Sequence, residues 1–212
     1  METRCSKCGR THETEAFARI NVKESPELKA KVKDGSLFLW ECPSCGESNL
    51  ARYQTIYHDP DEHLMIWLLP EGSLPKEQFD AIDSQMKAAS EALEGYTFRR
   101  VGDVGSLIEK VNIFDAGLDD VVIEMCKYVT RMEMRGKKDA PQGNVSLKFY
   151  RFEGSDNDLL FSYPENGQMK ALAVGFNVYE DCAGIVRRNP AMSPRTGFAS
   201  IDPAWIEQFF KG

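Results

Sequence analysis

Two short matched segments constrain this chain more than anything else in it. Cys5-Ser6-Lys7-Cys8-Gly9 opens the sequence, and Cys42-Pro43-Ser44-Cys45-Gly46 follows with 33 residues between Cys8 and Cys42. Each reads Cys-x-x-Cys-Gly. Two residues between cysteines let a tight turn bring both sulfurs to one ion, and the glycine after the turn accepts positive φ. Four thiolates are the ligand set of a closed tetrahedral structural zinc site; iron can occupy the same set. Cys5, Cys8, Cys42 and Cys45 are therefore the predicted metal ligands. With all four positions filled by sulfur, no open position is left for water or substrate, which points to a structural metal. A redox dithiol is the competing reading. It wants a helix directly after the pair in a βαβ setting, which neither pair offers.

The remaining cysteines, Cys126 and Cys182, fall on helical patterns and read as buried, inert thiols. Met1 leads straight into the first ligand, and the longest apolar runs are too short to span a bilayer. The expectation is a protein of a reducing compartment, the cytoplasm. Net charge is −7, but residues 1–60 balance nine Lys/Arg against nine Asp/Glu. A neutral cysteine-bearing region in an acidic chain is a poor phosphate binder, because that binding draws on counterion release by Lys and Arg. Nucleic-acid binding is therefore the weakest of three candidate function classes. Protein is the expected partner, with no membrane; a small-molecule substrate stays undefined.

Pattern reading gives an α+β chain. Strand-like runs lie at Thr14–Val22, Leu37–Trp40, Asn49–Tyr57, His63–Leu69 and Tyr96–Val101. Ser25-Pro26-Glu27 predicts a helix start with Ser25 as cap, which places a helix between the two knuckles. Phe79, Ile82, Met86, Ala89 and Leu93 form an apolar stripe on a helix from Pro75 to Leu93. Asp103 caps the next helix, and Asp119 and Asp120 begin another. Met134–Gly143 reads as a linker or surface loop. Three strands follow at Val145–Glu153, Leu159–Tyr163 and Met169–Val174, with a turn at Gly154-Ser155-Asp156-Asn157 and a hairpin signal at Asn166-Gly167. A helix near Val178–Arg188 and a short one after Asp202-Pro203 close the chain. The predicted division is 1–134, a zinc-ribbon-like β element with an inserted helix packed with further helices, and 144–212, a C-terminal antiparallel β plus helix region forming a domain or subdomain.

Other polar groupings are weaker. His58-Asp59-Pro60-Asp61-Glu62-His63 offers two imidazoles and three carboxylates for a hydrolase-type site, but also reads as a polar turn with histidines facing across two strands. Asp115, Asp119 and Asp120 suit helix capping better than a divalent metal. Arg131, Arg135, Lys137 and Lys138 read as a solvated helix end. Trp205, Phe209 and Phe210 suit a docked terminal helix. No nucleophile elbow, phosphate loop or dinucleotide fingerprint is present. No catalytic residue is named, and an enzymatic role stands second to a non-enzymatic adaptor or regulatory binding module.

Several segments together resemble the CpXC domain family of bacteria and archaea. They are Cys42-Pro43-Ser44-Cys45, Ser25-Pro26-Glu27-Leu28-Lys29 leading to Asp34-Gly35-Ser36-Leu37-Phe38, Tyr57-His58-Asp59, and Phe114-Asp115-Ala116-Gly117-Leu118-Asp119-Asp120. The resemblance covers roughly residues 1–130. It implies a zinc-ribbon-like module and carries no catalytic residues across. Ser6 stands where the second knuckle has Pro43, so the first turn is less rigid while the ligand set is intact.

Overall fold

A computed structural model of the chain describes residues 1–136, 145–153, 157–194 and 196–210. In chain order the first part holds β1 (Glu2–Arg4), β2 (Thr11–Glu13), β3 (Arg19–Asn21), α1 (Glu27–Lys33), β4 (Leu39–Glu41), β5 (Ser48–Leu50), β6 (Thr55–Asp59), β7 (Leu64–Leu68), α2 (Lys76–Glu91), β8 (Thr97–Val101) and α3 (Val104–Asp115). The second part holds α4 (Asp120–Arg135), β9 (Lys148–Glu153), β10 (Asp158–Glu165), β11 (Gln168–Val174), α5 (Phe176–Arg188) and α6 (Pro203–Glu207). The chain is α+β, with four sheets and six helices among the described residues. It divides into two units, Met1–Ile108 with Thr196–Ala199, and Glu109–Arg195 with Ser200–Gly212.

In the first unit each knuckle sits between two short antiparallel strands, β1 with β2 and β4 with β5. The larger sheet has the order β3-β6-β7-β8. Its outer pairs are parallel and its central pair antiparallel. The parallel pair β7-β8 needs a crossover, and α2 supplies it. Phe79, Ile82 and Met86 of α2 pack on a core of Trp67, Phe98 and Phe198. Ala89 and Leu93 stay exposed, so the apolar stripe covers only the first part of the predicted helix.

Four local expectations change. Leu37–Trp40 is not one strand: Ser36–Phe38 forms a 3-10 turn that buries Phe38, and only Leu39–Glu41 is extended. Asn49–Tyr57 is split, because β5 pairs with β4 while β6 pairs with β3 and β7 in a different sheet. The strand expected at Thr14–Val22 shrinks to Arg19–Asn21, which lies parallel to β6. Ser25 makes no side-chain cap to α1; its carbonyl accepts from the Leu28 N–H at 3.1 Å, and Pro26 holds the cap position.

In the second unit β9, β10 and β11 form an antiparallel meander in the order β11-β10-β9. Asn166 and Gly167, both at positive φ (52° and 75°), make the predicted two-residue hairpin between β10 and β11. Phe149 and Phe161 meet edge to face in its core. Helix α4 packs against α5 and α6. Trp205 donates its indole N–H to the Met192 carbonyl at 2.8 Å, and Phe210 stacks on Tyr128, so the terminal helix is docked as predicted. The predicted linker lies, from residue 137 onward, outside the described residues, as do residues 154–156 of the predicted turn.

Candidate metal centre

The two hairpins present their knuckles to one another. In each, the first cysteine's carbonyl accepts from the glycine N–H, at 3.0 Å for Gly9 and 2.8 Å for Gly46. Gly9 and Gly46 have φ of 72° and 70°, where a Cβ is strained, and this is why both motifs end in glycine. The turns are closed by Cys5 N–H to the Arg10 carbonyl at 2.9 Å and Cys42 N–H to the Glu47 carbonyl at 2.8 Å.

This geometry collects the four sulfurs. Cys5 Sγ lies 3.6 Å from Cys45 Sγ, and Cys8 Sγ lies 3.7 Å from Cys42 Sγ. All four lie within 4.8 Å of one another. A tetrahedron with metal–sulfur bonds of about 2.3 Å needs sulfurs about 3.8 Å apart. The spacing fits a single ion held by all four predicted residues. Without metal the thiols compete for protons. The backbone hydrogen bond from Cys8 helps bring Cys5 down to about 6. At Cys45 the Glu47 backbone hydrogen bond favours the thiolate, yet burial and hydrogen bonding with Cys42, Cys5 and Cys8 push the thiol up to about 12. Four sulfurs this close cannot all ionise without a cation among them.

Asn49 links the halves, and pattern reading missed it. Its side-chain oxygen accepts from Ser6 N–H and Ser6 Oγ, both at 2.8 Å. Its amide donates to the Glu47 carbonyl at 2.8 Å and approaches Cys5 Sγ at 3.6 Å. His12 is a neighbour of the centre: Nε2 lies 3.5 Å from Cys42 Sγ and 3.4 Å from Ser44 Oγ. Lys7 and Glu47 pair across the knuckles at 3.1 Å.

The segment forms the polar turn expected between β6 and β7, but its histidines do not face each other across the strands. His58 pairs in register with Met65, and His63 lies in the turn beyond. Both rings pack on Tyr96, with centroids 5.8 Å and 5.3 Å away. His58 Nε2 is 3.3 Å from the Tyr96 hydroxyl. Burial, then the Arg19 guanidinium, lowers the His58 pKa. Asp61 and Glu62 are exposed. Asp59 is buried and committed elsewhere: it accepts from Lys29 Nζ at 3.0 Å, Tyr57 Oη at 3.3 Å and Glu62 N–H at 3.3 Å. Lys29 and Asp59 thus tie α1 to the main sheet. Among the described residues the four cysteines are the one group of three or more metal-capable side chains.

The aspartates near Gly117 separate by role. Asp119 caps α4, accepting from Val121 and Val122 N–H at 2.7 Å and 3.2 Å. Asp120 is buried and accepts from Lys110 Nζ at 2.6 Å. Asp115 is exposed. Cys126 and Cys182 are both buried. Hydrogen bonding with Cys182 and burial push the Cys126 thiol up.

A buried charged cluster escaped the sequence reading. Glu109 binds Lys127 at 3.0 Å and Lys148 at 3.2 Å, and accepts from Phe149 N–H at 2.9 Å. Glu124 binds Lys127 at 2.6 Å and Arg131 at 3.6 Å. Arg131 is thus buried, contrary to the solvated helix end expected; Arg135 is exposed, and Lys137 and Lys138 lie outside the described residues. The i, i+3 spacing of Glu124 and Lys127 was visible in the sequence, but such pairs usually sit on a wet face.

Comparison with known proteins agrees with the family resemblance. A protein of Treponema pallidum (strain Nichols), described as "Uncharacterized protein", is 25% identical over 192 residues, covering 85% of each chain. No solved structure matches. Residues 3–127, which hold both knuckles, the Lys29–Asp59 tie and the Asp119 cap, match the CpXC protein family, and the chain belongs to it.

Proposed function

We propose that this protein is a non-enzymatic adaptor or regulatory binding module whose N-terminal, zinc-ribbon-like part is stapled by one structural Zn²⁺. The observation that carries this is the four-sulfur cluster at tetrahedral spacing, complete without a water or substrate ligand. Zinc suits four thiolates at closed coordination, and the ion would hold two hairpins of three-residue strands that have little core of their own. Its partner is a protein. The cytoplasm, where thiols stay reduced, suits this centre. No helix among the described residues is long and apolar enough to cross a membrane.

Cys42→Ser tests the reading. It should remove bound zinc, measured as metal per chain by mass spectrometry of purified protein, and lower thermal stability. Full zinc content with unchanged stability in this variant would falsify the four-thiolate centre.

A further inference from the structure

A groove of 670 Å³ opens beside the metal centre, on the first unit. Its lining includes Phe17, Leu37, Leu39 and Trp40 together with Glu13, Glu15 and Glu41. Leu39 is 53% exposed despite its size, and its cross-strand partner Leu50 is 44% exposed. Two apolar side chains side by side on an exposed ribbon are unusual unless something covers them.

The strand edge bordering the groove also has no backbone partner among the described residues, as the hydrogen-bond alternation shows. Ala51 N–H donates to the Phe38 carbonyl, and Cys42 N–H to the Glu47 carbonyl. Antiparallel pairs alternate, so Trp40 turns its groups toward Asn49 and Glu41 turns its own away from β5. The Leu39 N–H is used by the Ser36 carbonyl, which leaves the Leu39 carbonyl and both Glu41 groups facing outward. Leu39, Trp40 and Glu41 all line the groove. An exposed strand edge beside apolar pockets is the arrangement by which proteins capture extended peptides.

Charge selects the peptide. Glu13, Glu15 and Glu41 are exposed, and none has an ion pair among the described residues; Lys31 is the one Lys or Arg lining the groove. Resting on the binding-module reading above, we infer that the groove takes an extended segment of a partner protein in which apolar residues alternate with lysine or arginine. The segment adds to the outer edge of β4, bonding to the Leu39 carbonyl and the Glu41 amide and carbonyl. Its apolar side chains fall on the face of Trp40, and its basic ones on the face that Leu39 and Glu41 share, where their aliphatic stems cover Leu39 and their charges meet the groove's glutamates.

The test uses full-length protein with its metal content measured on the same sample. The probe is a short fluorescent peptide alternating valine and lysine, followed by anisotropy. Binding is expected. It should weaken about tenfold when the backbone nitrogens on one edge of the same peptide are methylated, which removes hydrogen bonds and keeps the charge. It should also weaken in the exposed double variant Glu13→Lys, Glu15→Lys. Equal binding of the methylated peptide would overturn strand addition. No binding at millimolar peptide to metal-loaded protein would overturn the inference and leave the metal reading standing. A metal-free native protein would sink that reading instead. A dimer in sedimentation that is lost in the Glu13→Lys, Glu15→Lys variant would identify a second copy as the occupant and also overturn the inference.

Discussion

Asn49 shows how one side chain can govern a site without being one of its four sulfur donors. Buried at 7% exposure, it spends its carbonyl on Ser6 and its amide on Glu47. It therefore sets the separation of the two knuckles, and its approach to Cys5 Sγ adds a donor to a thiolate. Residues one shell out from a metal commonly tune affinity 10–100-fold. Asn49→Ala should bind zinc about 10–100-fold more weakly, read by competition with a chromogenic chelator, while the folded, metal-loaded protein keeps its circular dichroism. An unchanged competition constant would reduce Asn49 to packing. Nothing in Ser48-Asn49-Leu50 announced this role. Asparagine is ordinary in loops, and its partners at Ser6 and Glu47 are set by how the two hairpins dock.

Among elements, the helix starts were the most legible. Asp119 and Asp202 cap α4 and α6, and Asp103 accepts from Ser106 N–H at 2.8 Å at the start of α3. Capping is local chemistry that needs only a short side-chain acceptor and free N–H groups. Asp119→Ala should cost about 0.5–2 kcal/mol, measured as a lower denaturant midpoint with unchanged zinc content; no loss would mean α4 is held by its burial alone. Strands were less legible. Three-residue strands carry almost no period-2 signal, so β1 and β2 were invisible and Asn49–Tyr57 looked continuous. Which sheet a run joins depends on partners distant in sequence, such as β3 beside β6.

On the scale of the whole molecule, the two units rest on different chemistry. The first has the cysteine centre. The second buries Glu109, Lys127 and Glu124, all at 4% exposure or less. Burial alone would raise the Glu109 pKa, but Lys127, Lys148 and Lys110 hold it below the usual glutamate range. Burial alone would lower Lys127, but Glu109 and Glu124 raise it. A lowered carboxyl stabilises above the ordinary glutamate value and loses that share as pH falls through its folded value. A raised lysine stabilises below the ordinary lysine value and loses its share as pH rises through its folded value. The cluster therefore favours the folded state across the neutral range. Glu109→Gln removes a partner from buried Lys127 and half-buried Lys148 and should cost about 3–5 kcal/mol. Chemical denaturation across acid pH should also show a shallower loss in this variant than in the native protein. Parallel pH curves for the two would refute the assignment.

Taken alone, the sequence determined the four metal-capable cysteines, the family, most helices and the hairpin at Asn166-Gly167. These rest on short-range rules: ligand spacing, capping, turn conformation and helical period. Tertiary structure decided what distant segments do when they meet. It joined Lys29 to Asp59, set Tyr96 between the two histidines, buried Arg131 and left the edge of β4 open. Pattern reading treats a charged residue as wet because an unpaired charge seldom survives burial. Only the fold supplies the partner that lifts that penalty. For the two knuckles the division is the same: the cysteines said that sulfurs would converge, and the docking of the hairpins settled how closely.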